Sequence, residues 1–473
     1  MPLGAGTGRR PAAISLALAL SLGFSATVSA AAAPSDEIVA RGRYLAVAGD
    51  CAGCHTAPNG GAAFAGGSVI GSPLGAIVSS NITPSRSAGI GGWSEAQFAA
   101  ALRQGRRADG AYLYPAMPYA AYTALSDADV AALYAYFMGS VAAVDTAPPP
   151  TQLPFPFGIR PSMAIWNTLY LSDQRFTPTA GKDPVWNRGA YLANALEHCG
   201  ACHTPRTLLM GEDKDRAFAG GPVGAWYAPN ITSDPVSGIG GWSRADLIAY
   251  LKTGRAEGKN RAGGGMAEAV SHSLQYLEET DIEALATYVA AIPPIRDKGQ
   301  TIPDFGYGSA AAATPLLRGI GNPIVAAESP DGAALYAGAC ATCHEPTGGG
   351  SRNQALPALV HDTTTGAIRP DNLVATILYG INRRTGSDWA FMPSFGGRES
   401  VQPLTDPEIA AVANFVLTHF GDPAVRVTPD AVATARRGGA TSPLLLITRI
   451  GLLTLVVIVV IGLGWWVWRR RQS

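Results

Sequence analysis

Along this chain, apolar positions recur at helical spacing in paired stretches, and the pair occurs three times. The first members read Arg41-Gly42-Arg43-Tyr44-Leu45, Arg188-Gly189-Ala190-Tyr191-Leu192 and Asp331-Gly332-Ala333-Ala334-Leu335-Tyr336. The second members open with Leu125-Ser126-Asp127-Ala128-Asp129, Glu279-Thr280-Asp281-Ile282-Glu283 and Leu404-Thr405-Asp406-Pro407-Glu408. In each, a Ser or Thr (Ser126, Thr280, Thr405) stands as N-cap with a carboxylate three residues on, ahead of an apolar run ending near Phe137, Val289 or Val416. Long loops containing Gly and Pro separate the two members, so the pattern predicts three compact helical units. Pro-rich stretches over 147–161 and 292–315 read as linkers. The first continues through Phe155, Phe157, Trp166 and Tyr170, aromatic content that predicts packing along a neighbour.

The pattern breaks at both ends. Residues 1–30 combine Arg9 and Arg10, an apolar run and the small residues Val28-Ser29-Ala30, which predicts a secretory signal peptide and an exported mature chain. Residues 450–468 are nineteen positions without a charge, about 29 Å as a helix against a hydrocarbon core of about 30 Å. Trp465, Trp466 and Trp468 stand where an interfacial belt belongs, and Arg469, Arg470 and Arg471 follow. The positive-inside rule then places the C-terminus in the cytoplasm and everything before the helix outside the inner membrane.

The first two units share finer repeats. Asn81-Ile82-Thr83 returns as Asn230-Ile231-Thr232, and Gly89-Ile90-Gly91-Gly92-Trp93-Ser94 as Gly238-Ile239-Gly240-Gly241-Trp242-Ser243. The third unit lacks both strings and is a diverged relative. Asn-x-Thr also matches a glycosylation acceptor, but its fixed place in the repeat predicts a structural loop. The 35 basic and 35 acidic side chains cancel, and charged residues are 15% of the chain against a usual share of about 25%, so no field favours nucleic acid.

All six cysteines fall in three Cys-x-x-Cys-His strings: Cys51, Cys54 and His55; Cys199, Cys202 and His203; Cys340, Cys343 and His344. A Cys pair alone fits half a zinc site or a redox dithiol. With His next in line, two thiols on one turn can bond the vinyl groups of a haem while the imidazole reaches the iron, so the strings predict three covalently bound haem c groups. A Met as sixth ligand raises the potential and closes the iron. Met117 lies 62 residues after His55, Met266 lies 63 after His203, and Met392 lies 48 after His344, each on the loop before the closing helix. Met266 has His272 as its rival. His198, His361 and His419 read as solvated or hydrogen-bonded surface residues, and Met138, Met163 and Met210 as packing. No phosphate loop, nucleophile elbow or zinc-protease helix is present in the sequence, and the carboxylates at helix starts read as caps rather than acids or bases.

Three Cys-x-x-Cys-His units after a signal peptide, the Asn-Ile-Thr and Gly-Ile-Gly-Gly-Trp-Ser strings, Met266-Ala267-Glu268-Ala269-Val270, and the linker Phe155-Pro156-Phe157-Gly158-Ile159-Arg160-Pro161 resemble the membrane-bound triheme cytochrome c subunits of bacterial periplasmic dehydrogenases for alcohol, gluconate, sorbitol and fructose. The resemblance covers about residues 36–425. It implies a mostly α chain of three tandem cytochrome c-like haem domains, which with the repeats gives domains 36–146, 184–292 and 326–425 and linkers 147–183 and 293–325; the apolar run adds one C-terminal transmembrane helix over 444–468. It further implies a large partner subunit carrying pyrroloquinoline quinone or flavin, a small third subunit, and ubiquinone as acceptor, with no substrate-oxidising site on this chain. The axial pairs it implies are His55 and Met117, His203 and Met266, and His344 and Met392. On the residues alone two alternatives stay open: a free-standing anchored electron shuttle, and a haem enzyme with one open, peroxidase-like iron.

Overall fold

A computed structural model describes residues 35–310, 331–353 and 355–472. The predicted signal peptide and part of the second linker lie outside the described residues. The first unit runs α1 (Asp36–Ala48), α2 (Cys51–His55), the antiparallel hairpin β1 (Val69–Ser72) and β2 (Gly75–Val78), α3 (Glu95–Gln104), α4 (Tyr119–Tyr122) and α5 (Asp127–Gly139). The linker holds α6 (Met163–Tyr170). The second unit repeats the order with α7 (Pro184–Tyr191), a π turn (Leu192–Leu196), α8 (Gly200–His203), the hairpin β3 (Gly221–Val223) and β4 (Trp226–Ala228), α9 (Arg244–Thr253), a short hairpin β5 (Arg255–Ala256) and β6 (Asn260–Arg261), α10 (Gly264–His272) and α11 (Glu279–Val289). In the third come α12 (Gly332–Leu335), a π turn (Tyr336–Cys340), α13 (Ala341–His344), α14 (Thr363–Gly366), α15 (Asp371–Tyr379), the hairpin β7 (Ile381–Thr385) and β8 (Asp388–Met392), α16 (Asp406–Phe420) and α17 (Pro429–Arg436). The chain ends in α18 (Leu444–Arg470).

Each unit is closed by its first helix crossing its last, and a glycine sets how near they come. A Cβ on Gly42 would stand 1.9 Å from the Ala132 carbonyl oxygen, one on Gly189 1.9 Å from that of Ala284, and one on Gly332 2.3 Å from that of Ala411. One turn further along each closing helix an aromatic covers the crossing: Tyr136, Tyr288 and Phe415. The buried side chains Leu45, Leu133 and Phe137, then Leu192, Ile282 and Leu285, then Tyr336, Ile409, Val416 and Phe420 fill the space behind. The third core continues through Val427 and into α17 at Val432.

The shared strings have structural reasons. Asn81 Oδ1 accepts from the Thr83 N–H and hydroxyl, while its amide donates to the Val144 and Thr146 carbonyls. Asn230 repeats this with Thr232 and Ile295. Both Asn side chains are buried knots that tie the loop to the chain beyond the closing helix. Ser94 and Ser243 are N-caps with reciprocal capping boxes to Gln97 and Asp246.

Ser126 and Thr405 cap α5 and α16 as expected, but the cap of α11 is Glu278, two residues before the predicted Thr280. The reason is a contact between units. The Tyr44 hydroxyl of the first unit takes the N–H of Glu278 and donates to Asp281 at 2.7 Å. Reciprocally, the Tyr191 hydroxyl of the second unit takes the N–H of Ser126 and donates to Asp129. Arg41 and Arg188 complete the two clusters on Asp129 and Asp281. Asp129 and Asp281 are thus shared acceptors that fasten two units about a pseudo-twofold axis, and neither carboxylate caps its own helix.

Candidate metal centres

No two of the six cysteines form a disulfide; in each motif the first is half-buried and the second exposed. Each motif lies on a short helical turn at α2, α8 or α13; the first two are entered through a left-handed residue, Asp50 (φ 46°) before Cys51 and His198 (φ 39°) before Cys199, and the third through the π turn Tyr336–Cys340. The three imidazoles are held alike. Nδ1 of His55 lies 2.7 Å from the Ser80 carbonyl, that of His203 2.7 Å from Pro229, and that of His344 3.0 Å from Pro357. A carbonyl only accepts, so Nδ1 carries the proton and Nε2 keeps its lone pair for a metal. Burial also lowers the pKa of all three histidines, favouring the neutral, ligating form.

The first thiol of each motif is not poised as a thiolate. Burial pushes Cys51 and Cys340 up to about 12 and raises Cys199 as well. A reactive dithiol needs the opposite shift. Among the described residues no group of three His, Cys, Asp or Glu side chains is placed to hold a bare metal ion. Paired thiols plus one oriented imidazole therefore fit haem c attachment better than zinc or disulfide exchange.

Met117 follows a turn closed by its N–H to the Tyr114 carbonyl, Met266 stands in the first turn of α10, and Met392 ends β8. All three are partly buried; Met117 and Met266 pack against the same core as Cys51 and Cys199, and Met392 against that of Cys340. The rival His272 is exposed at the end of α10. His361 and His419 are exposed as expected, whereas His198 is half-buried, edge-on to Tyr122 at 5.6 Å between the first and second units, and burial pushes it down to about 4. Sequence reading missed Asp50, whose Oδ1 is buried without a partner beside Cys51 and whose carboxyl burial pushes up to about 7.

The three units meet at one helix. α10, which carries Met266, packs on α2 of the first unit and on β7 of the third. Arg383 on β7 is buried and donates to the Ala262 carbonyl at 2.7 Å, and Gln275 just after α10 bonds the hairpin turn at Arg384 and Gly386. Cys202 lies within electrostatic reach of Cys54.

Comparison with known proteins agrees with this picture. The family model described as cytochrome c matches residues 39–140, and that described as cytochrome c oxidase, cbb3-type, subunit III matches 327–416. The chain is 46% identical to the fructose dehydrogenase cytochrome subunit of Gluconobacter japonicus, covering 92% of this chain and 91% of that one. It is 40% identical to the gluconate 2-dehydrogenase cytochrome c subunit of Pantoea cypripedii, over 85% and 90% of the two chains. The cytochrome c subunit of the quinone alcohol dehydrogenase of Gluconacetobacter polyoxogenes is 37% identical over 85% of each.

Proposed function

This chain belongs to the family of cytochrome c subunits of membrane-bound dehydrogenases, and from that premise we propose that it is a triheme relay carrying electrons from a catalytic subunit to ubiquinone. The haem domains are 36–146, 184–292 and 326–425, with thioethers at Cys51, Cys54, Cys199, Cys202, Cys340 and Cys343. His55 and Met117, His203 and Met266, and His344 and Met392 would hold the three irons. Haem held in this way would supply one-electron transfer chemistry. The chain's part is to fix the imidazoles through the Ser80, Pro229 and Pro357 carbonyls, to shield the Met side chains in the cores, and to set the spacing.

The observation that carries the relay reading is the position of α10. Through it the second unit touches both others, so the order first, second, third is a connected path with the second as the middle station. Substrate is oxidised on a separate large subunit bearing pyrroloquinoline quinone or flavin, accompanied by a small third subunit. α18 spans the inner membrane with the haem domains on the periplasmic side and Arg469 and Arg470 inside, stacked over Trp465 and Trp466 at 4.1 and 3.9 Å.

The test is mild-detergent purification of the tagged chain from its own membranes, with identification of partners and cofactor. A large dehydrogenase chain in fixed ratio, whose substrate reduces all three haems, is expected. A triheme chain that emerges alone and still exchanges electrons with quinone would replace the subunit reading by the shuttle.

A further inference from the structure

Between Asp145 and Asp173 the 27 residues 146–172 contain a single charge, Arg160, where the chain's 15% average would give about four. Even that charge is turned inward: Arg160 donates to the Tyr112 carbonyl at 2.8 Å and lies over the Tyr114 ring at 4.5 Å. α6, in the middle of this stretch, sits in the seam between the first two units. Its polar and aromatic side is used up there: Trp166 donates to the Leu209 carbonyl, Asn167 bonds Tyr119 and the Gln104 carbonyl, and Tyr170 bonds Thr207. The opposite side presents Ile165, 68% exposed, and Leu169, 57% exposed, one turn apart. Phe155 and Ile159 before it and the turn Leu208 and Leu209 beside it are exposed as well. Single exposed apolar residues are ordinary, but six gathered on one nearly uncharged segment and the turn it bonds mark an interaction surface.

The contacts of α18 say what covers it. Arg449, the last charge before the apolar run 450–468, donates from Nε to the Phe155 carbonyl at 3.3 Å. Phe155 therefore stands at the level where the membrane helix enters hydrocarbon. Nearby, Ser442 donates to the Pro73 carbonyl at the β1–β2 tip, and Gly439 is seated against Gly224 at the β3–β4 tip. The exposed segment is continuous with the start of the anchor.

We infer that residues 155–170, with Leu208 and Leu209, form an interfacial element that beds into the outer leaflet beside α18, with Phe155, Ile159, Ile165 and Leu169 facing lipid. The bilayer thus holds the chain at two places, and the first two units cannot swing about a single helix. Because Leu208 follows His203 by five residues, the same surface brings the second centre to the lipid boundary. The inference rests on the reading of α18 as a membrane anchor, and the test separates the two.

Nitroxide labels are placed on Ile165→Cys, Leu169→Cys, Val456→Cys in α18 and Val401→Cys, a fully exposed loop position of the third unit, in the intact complex reconstituted in phospholipid nanodiscs. Collision with oxygen, which partitions into lipid, is compared with collision with a water-soluble nickel chelate. The expected oxygen-to-nickel ratio at 165 and 169 is several-fold above that at 401 and approaches that at 456. A ratio at 165 and 169 equal to that at 401, with 456 still reading lipid, overturns this inference alone. Low collision with both reagents at 165 and 169 also overturns it, assigning the surface to a partner chain. An aqueous reading at 456 overturns the anchor and the inference with it. The unvaried protein reports on haem attachment separately, since thioether-bound cysteines take up no label.

Discussion

Replacing Tyr44 and Tyr191 by Phe probes the reciprocal fastening of the first two units while leaving each core filled. Each change deletes one hydroxyl that donates to a carboxylate of the other unit, Asp281 or Asp129. A hydrogen bond to a charged acceptor contributes about 1.5–3 kcal/mol. Tyr191 is buried and Tyr44 half-buried, so Tyr191→Phe belongs near the upper end and Tyr44→Phe near the lower. One RT ln 10 is about 1.4 kcal/mol, so the opening equilibrium of the interface shifts roughly tenfold for Tyr44→Phe and roughly a hundredfold for Tyr191→Phe. A chain of several units does not melt as one, so the suitable assay is amide hydrogen exchange on the detergent-solubilised holoprotein, read peptide by peptide. Faster exchange is expected in α1, α5, α7 and α11, with α16 of the third unit unchanged. Exchange that stays at the parent rate in those four helices, or rises equally in α16, would refute the pseudo-twofold fastening.

Gly42→Ala, Gly189→Ala and Gly332→Ala each drive a Cβ into a helical carbonyl, and each is expected to destabilise its own unit by about 1–3 kcal/mol or more, measured as a lower denaturation midpoint of that unit's haem absorbance. Burial pushes Asp281 up, but the Arg188 pair and the Tyr44 hydroxyl outweigh it, leaving its carboxyl below the ordinary value. A depressed carboxyl gives stability above its unfolded value of about 3.9 that is lost as pH falls through the folded one, so interface exchange should accelerate only below about pH 4. Asp50, pushed up to about 7, places a negative charge beside Cys51 as pH rises through neutrality. The first unit's midpoint potential should therefore fall with pH there, by at most ~59 mV per pH unit, and Asp50→Asn should flatten the dependence. Met266→Ala is expected to open the second iron to added cyanide, whereas Met210→Ala leaves it closed.

The attachment motifs are written locally: two thiols and an imidazole must share one turn to hold a haem, so Cys199, Cys202 and His203 stand out at fixed spacing. The Met residues were expected on loops, yet Met266 stands in α10 and Met392 ends β8, because their backbone is set by the hairpin and helix that pack there. Asn81 and Asn230 were readable as loop residues because the bonds to Thr83 and Thr232 are local, while the ties to Val144, Thr146 and Ile295 beyond the closing helices were not visible. What stayed hidden depends on distant chain. Gly42, Gly189 and Gly332 stood in the repeat without a visible reason, because the reason is a carbonyl about 80–95 residues away on the closing helix. Asp129 and Asp281 read as caps, since nothing near them in sequence reveals that Tyr191 and Tyr44 arrive from the other unit. The cap of α11 moved to Glu278 for the same cause. His198 read as a surface residue because its cover, Tyr122, belongs to the first unit.

The most direct test of the account is the ratio of haem to polypeptide in the purified native chain, taken from alkaline pyridine spectra of the denatured protein before and after acid–acetone extraction. Three haems per chain, all retained by the polypeptide after extraction, are predicted. Two or fewer, or haem that leaves with the solvent, would contradict it.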